Sequence, residues 1–373
     1  MRIIILILSS ESDTPIMKPT ITFLLPSHSK YPVGGFKVVY EYANRFVSEG
    51  YDIRIVLPAT VFFNGENFIN KFKSALRYVY YKANNQYTPY HWFDLDKKVK
   101  IFWVPSLDQK HIPNSDVIVA TSAETAERLD NLAFSGKKIY FIQGYETWCN
   151  GEERFLETLD LGLTKIVVSP HLLKVVESRG QKAELILNGF DFNYFKKTID
   201  VEDRYKYQIA MLFHLSSAKG CDDGLKSLEI VRDKFPLLKA SFFGYPERPK
   251  NLPSWIKYIQ TPDKDLHNKI YNEAAIFIGT SHSEGWGLTV GEAMICGCAV
   301  ACTNIEGYNI MAKNEDTALL SEPGDFQLMA ENIIRLIDND KIRYQIAKNG
   351  STNIQKYKWD ESYNIFKKTV KIK

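Results

Sequence analysis

Ser283-Glu-Gly-Trp-Gly-Leu-Thr-Val-Gly-Glu292 is the stretch whose reading decides the fold. A strand-like run, Ala275 to Gly279, leads into it, and a helix-like run, Leu288 to Cys296, leaves it and stops at Gly297. A strand-to-helix turn of this kind exposes unpaired backbone N–H groups at the positive end of the helix dipole, where anions are stabilised. Gly285 and Gly287 let a phosphate approach that backbone, with Trp286 and Leu288 supplying further amides. Glu292 lies one turn into the helix, and its side chain tilts back toward the N-terminus. It is placed to accept hydrogen bonds from hydroxyls beside such a phosphate, as in the ribose of a nucleotide. Taken singly, Glu284 reads as a helix cap and Glu292 as a solvated helical residue. That reading leaves the two glycines around an aromatic unexplained.

Outward from the turn, short β-rich runs alternate with helical patterns, the mark of parallel sheets with crossover helices. Thr20–Leu25, Ile53–Leu57, Val117–Ala120, Ile139–Ile142 and Ile166–Val168 read as strands of a first half. Ile209–Leu215, Leu238–Phe243, Ala275–Gly279 and Ala299–Cys302 read as strands of a second. Ligands of open parallel sheets bind beyond the carboxyl ends of the strands. Five segments occupy such ends: Gly34-Gly35, Gln143 to Glu146, Ser169 to His171, Lys219-Gly220 and the turn at Glu284. If both sheets face one cleft, all five meet there. Lys219, at a strand end before a glycine and a helix start, can set its ammonium beside a phosphate.

The pattern E-G-W-G-L-x-x-x-E-A-M-x-x-G-C over residues 284–298 resembles the signature of the family 4 glycosyltransferases, retaining GT-B enzymes with an E-x7-E motif. Asn188-Gly-Phe-Asp-Phe-Asn-Tyr-Phe195 is similar to the segment that precedes their second domain, and Lys219-Gly220 to their diphosphate-holding lysine. The resemblance implies an α/β fold of two Rossmann-like domains with parallel sheets facing a central cleft. The implied division is an acceptor domain over 17–190, a nucleotide-sugar donor domain over 191–355, and a helix over 356–373 crossing back to the first. It also implies donor binding by Gly34, Gly35, Lys219, Glu284, Gly285, Trp286, Gly287, Leu288 and Glu292. Glu284, Lys219, His214 and Gln143 would act in catalysis.

Two positions depart from the family pattern. His214 stands near where an arginine is usual, and Gln143 where many members carry a histidine near the transferred sugar. Gln143 can hydrogen-bond a hydroxyl but cannot act as a base. Both changes are similar to a bacterial surface-polysaccharide subgroup that includes rhamnosyltransferases. Glu146 is a candidate for an acceptor hydroxyl. The implied partners are a nucleotide-sugar donor and a glycan or lipid-linked glycan acceptor, and no cofactor is called for. A sugar-nucleotide epimerase and a non-catalytic glycan- or nucleotide-binding protein remain as alternatives. Base, sugar, acceptor, linkage and oligomeric state are not readable.

Composition sets bounds on these readings. The chain has 373 residues, more than one ordinary core, with 45% apolar and 24% charged residues. A net charge of +3 from 47 basic and 44 acidic residues argues against nucleic acid as a partner. Five cysteines, three of them at Cys296, Cys298 and Cys302, lack a paired disulfide or zinc spacing and suit a reducing cytoplasm. Asp94-Leu-Asp96 and Asp338-Asn-Asp340 resemble a metal-binding D-x-D but read as polar surface; no metal is expected. Residues 1–16 read as outside the fold if translation starts at Met17. The aromatic, basic stretch 61–103 offers two readings: a helix whose stripe Phe68, Phe72, Leu76 and Val79 packs on the first domain, or one that touches the inner membrane surface.

Overall fold

A computed structural model describes residues 18–59, 68–146 and 151–371. The expectation for residues 1–16, the start of the 61–103 stretch and Cys149 lie outside the described residues. The first half alternates β1 (Ile21–Leu24), α1 (Gly34–Ser48), β2 (Ile53–Pro58), α2 (Phe68–Ala83), β3 (Lys100–Val104), β4 (Val117–Ala120) and α3 (Ala123–Asp130). It continues through β5 (Lys137–Ile142), α4 (Glu152–Thr158), β6 (Thr164–Val167), α5 (Pro170–Ser178) and β7 (Ala183–Leu185). The second half runs β8 (Gln208–Leu212), α6 (Cys221–Lys234), β9 (Lys239–Gly244), β10 (Ile256–Gln260), α7 (Lys264–Glu273), β11 (Ile276–Gly279) and α8 (Leu288–Ile295). It ends with β12 (Ala299–Thr303), α9 (Glu306–Asn309), β13 (Leu319–Ser321), α10 (Phe326–Asp338), α11 (Asp340–Asn353) and α12 (Trp359–Val370).

All strand pairs are parallel, in the orders β3-β2-β1-β4-β5-β6-β7 and β10-β9-β8-β11-β12-β13. This is the expected pair of Rossmann-like domains. Interior strands such as β1, β4, β11 and β12 are buried along their whole length, because helices cover both faces of a parallel sheet. Strand order reverses between β1 and β4 in one sheet and between β8 and β11 in the other. Connections leaving adjacent strands in opposite directions open a crevice at that point, where open α/β sheets bind ligands. The loops after β8 and β11 carry Lys219 and Glu284 respectively.

The described part of the stretch 61–103 belongs to the first sheet. Its helix α2 is the crossover between β2 and β3, and β3 is an edge strand. Of the expected stripe, Leu76 and Val79 are exposed, and the side chains of Phe68 and Phe72 lie outside the described ones; Tyr78 and Tyr81 lie against the first core, with Tyr78 stacked on Trp103 at 6.0 Å. Helix α12 leaves the second half and joins the first core through Trp359, Tyr363, Phe366 and Val370. Its Phe366 ring lies 4.5 Å from that of Tyr42 on α1, and Lys367 bridges to Glu49 at 2.9 Å.

Candidate functional site

Two loops build the second-domain face of the cleft. A 3-10 turn, Ser217–Lys219, ends at Gly220 and presents Lys219 immediately before α6. The loop after β11 is pinned to it: the His282 N–H donates to the Ala218 carbonyl at 2.8 Å, and Thr280 Oγ1 donates to the Lys219 carbonyl at 3.0 Å. Lys219 Nζ thereby reaches Glu284 Oε1 at 2.5 Å, and Ser281 Oγ donates to the same oxygen at 2.9 Å. Gly287 then caps α8 with φ 80°, a left-handed backbone that a side chain would strain; a Cβ there would also meet the Tyr308 ring at 2.5 Å. The first amides of α8, from Leu288 onward, precede the first helical hydrogen bond, from the Gly291 N–H to the Gly287 carbonyl, and so have no helical partners.

His214 sits beside this pair. Burial first, then the nearby Lys219, hold its imidazole below the usual range, with Glu284 opposing. Its Nδ1 accepts the Ser216 N–H at 2.9 Å, which leaves the ring proton on Nε2. His214 is thus a neutral N–H donor next to an ammonium.

Gln143 and the glycines bring the first domain into contact with these loops. A Cβ on Gly285 would sit 1.9 Å from the Gln143 carbonyl, so only glycine allows this backbone-to-backbone approach. A Cβ on Gly35 would meet the Gln143 side chain at 3.5 Å, and one on Gly34 would meet Leu288 at 3.4 Å. The N-terminal ends of α1 and α8 therefore converge from opposite domains. Between them, Gln143 Oε1 is buried with no hydrogen-bond partner among the described residues. A hydroxyl or N–H group is what such an oxygen requires.

Three expected side chains are placed differently. Trp286 turns into the second core, 6.0 Å from Phe190 and 5.4 Å from Tyr357, so only its backbone belongs to the turn. Glu146 is buried and accepts the Ala123 N–H at 2.8 Å at the start of α3, which directs it away from an acceptor. Burial raises its carboxyl to about 7; the Ala123 bond opposes this and Glu124 adds to it. Glu292 is buried as well, and it meets the opposite domain: Lys37 Nζ on α1 donates to its Oε1 at 2.9 Å, and Tyr271 OH to its Oε2 at 3.2 Å. Burial works against the Lys37 charge, but Glu292, with Glu41 and Asp191, raises its pKa overall.

Lys37 was not legible as a site residue. Its spacing matched a polar position on an amphipathic helix, and nothing local ties it to a glutamate 255 positions away. Beside Glu284 a cavity of about 420 Å³ opens between the domains. Tyr145 and His171 line it from the first, and His282, Glu284, Glu306 and Asn309 from the second. His171 Nδ1 and Glu306 Oε1 approach to 4.0 Å across it.

Residues 195–353 match the family described as "Glycosyl transferases group 1". Relatives include the capsular polysaccharide biosynthesis glycosyltransferase CapM of Staphylococcus aureus, 26% identical over 48% of this chain and 54% of its own length. The O-antigen chain mannosyltransferase B of Escherichia coli is 26% identical over 35% of each chain. The chain thus spans about half or less of these relatives' length. Among solved structures, sucrose-phosphate synthase of Thermosynechococcus elongatus superposes with a TM-score of 0.71 at 16% identity, covering 94% of this chain and 98% of that one. HepE of Anabaena, in complex with UDP-glucose, gives 0.71 at 17% identity over 95% and 99%. The segment that bears Lys219, Glu284 and Glu292 is therefore a match to the group 1 glycosyl transferases, carried on the two-domain GT-B fold of those structures.

Proposed function

We propose that this chain is a family 4-type glycosyltransferase that moves a sugar from a nucleoside diphosphate to an acceptor hydroxyl in surface-polysaccharide synthesis. The observation that carries it is the meeting of Lys219 and Glu284 at the strand-order reversal, beside the first amides of α8. Relatives named for capsule and O-antigen synthesis support the acceptor class, and a like-folded chain with UDP-glucose supports the donor class.

The reaction breaks the bond from the anomeric carbon to the diphosphate and forms one to the acceptor oxygen. Negative charge grows on the departing phosphate. Lys219, the His214 Nε2–H and the α8 amides meet that charge in a site where no solvent must reorganise. Glu284 accepts hydrogen bonds from the transferred sugar, and Glu292 from the ribose with the lone pairs that Lys37 and Tyr271 leave. Gln143 cannot take a proton. The acceptor proton passes to the departing phosphate oxygen, and retention of configuration is carried over from the resemblance to the family 4 glycosyltransferases. The cavity lined by Tyr145 and Glu306 receives the acceptor.

Acceptor-dependent release of nucleoside diphosphate tests the reading, with a panel of sugar nucleotides first ranked by thermal stabilisation. A transferase releases the diphosphate only when a glycan acceptor is present. Conversion of the sugar nucleotide without acceptor would indicate the epimerase, and stabilisation without turnover the binding protein.

A further inference from the structure

Helix α2 has more apolar surface than the first domain covers. Tyr78 and Tyr81 take the inward side against Trp103, with ring centroids 6.0 and 6.1 Å away. A second stripe points outward: Leu76 is 56% exposed, Val79 61% and Tyr80 55%. These residues are neighbours on one helical face, with exposed Lys73 and Lys82 beside them. Tyr90, on the following loop, is also exposed.

Charge is concentrated here. Residues 67–93 contain Lys71, Lys73, Arg77 and Lys82 and no Asp or Glu, a charge of +4. The whole chain carries +3, so the remainder sums to −1. Burial, together with Arg77 and Lys30, depresses His28 to about 4, so the imidazole adds no charge at neutral pH but marks how closely the cations gather. An apolar stripe with tyrosines and unopposed lysines is what an interfacial helix presents to acidic headgroups. No helix among the described residues is long and apolar enough to cross a membrane.

We propose that the outer face of α2 rests on an anionic lipid bilayer. Its neighbours connect that face to the cleft. The Tyr81 ring lies 4.9 Å from His28 and under the Lys30 ammonium at 5.0 Å, and Tyr31 stacks on Tyr245 of the second domain at 5.0 Å. Tyr245 in turn lies 5.2 Å from His214. A bilayer under α2 therefore sits near the mouth of the cleft. Resting on the glycosyltransferase reading, this holds the cleft close to a surface that carries lipid-linked acceptors.

Flotation of the full chain with phosphatidylcholine vesicles, with and without phosphatidylglycerol, tests the contact directly. Binding is expected only with phosphatidylglycerol and is weakened by salt. Lys73→Glu and Lys82→Glu each lower it by at least about fivefold, and Leu76→Asp/Val79→Asp by at least about tenfold. Leu237→Asp, an exposed apolar site on the second domain, leaves it unchanged. Circular dichroism separates unfolding from loss of contact. Equal binding by the α2 variants overturns the proposal. So does a dimer in solution that Leu76→Asp/Val79→Asp converts to monomer, because the stripe is then a protein interface. Nucleotide-sugar turnover on a water-soluble acceptor is measured separately, so the membrane contact and the transferase reading fail independently.

Discussion

Lys219 and Glu146 show how one chain uses burial in opposite ways. Lys219 is paired with Glu284 at the cleft, where both side chains are partly exposed, and can exchange that carboxylate for a phosphate. Glu146 is sealed from water, and its carboxyl is raised from an ordinary 4.5 to about 7. The raised folded value means that the native state holds more protons than the unfolded chain between pH 4.5 and 7. Stability from this group is therefore present at low pH and is lost as pH rises through about 7. Glu146→Gln keeps an acceptor for the Ala123 N–H without the buried charge. It should melt like the parent near pH 4 and be more stable above pH 7, by up to about 3 kcal/mol. Melting curves across that range check it; a constant difference at all pH values contradicts it. Residue placement was legible where strand ends could be read, as at Lys219 and Glu284, which the structure brings together. They were not legible at Glu146 and Trp286, because a loop sequence does not tell which side chain turns inward.

Helix α12 is the element whose position matters most for its length. Tyr42, Phe46 and Phe141 of the first domain surround Phe366, with ring centroids 4.5, 5.9 and 5.3 Å away. Phe366→Ala should destabilise the first domain by roughly 3–5 kcal/mol, although the residue is near the C-terminus. Urea melts followed by first-domain tryptophans such as Trp103 report this; an unchanged midpoint refutes the tie. Strand reading succeeded for nine strands and missed β3, β7, β10 and β13, the four outermost of the two sheets. Edge strands are half-solvated, so they lack the continuous apolar run that marks a strand covered on both faces. The β7 segment Ala183–Leu185 has no fully buried residue, and β10 has one.

Across the whole molecule, the domains meet through Lys37–Glu292, the Gln143–Gly285 backbone contact and the Tyr31–Tyr245 stack. The two-sheet plan was legible from the alternation of strands and helices, but the partner of Glu292 was not, because closure depends on the folded placement of both halves. With Glu292 as the proposed ribose holder, the Lys37 contact would link closure to donor binding. Lys37→Met should raise the donor KM by at least about tenfold, as loss of one partner of a buried pair is costly. Small-angle scattering should show a more open particle, and Lys37→Arg should restore much of both. An unchanged KM and scattering curve would remove Lys37 from the site.

Lys219 and the turn at Glu284 are proposed to hold a diphosphate. Calorimetric titration with UDP, GDP and dTDP, into the parent chain and Lys219→Ala, tests it most directly. The account predicts that at least one of these binds the parent and that Lys219→Ala weakens it by roughly ten- to a hundredfold with cooperative melting retained. Equal affinity for both chains, or no binding of any of the three by the parent, contradicts it.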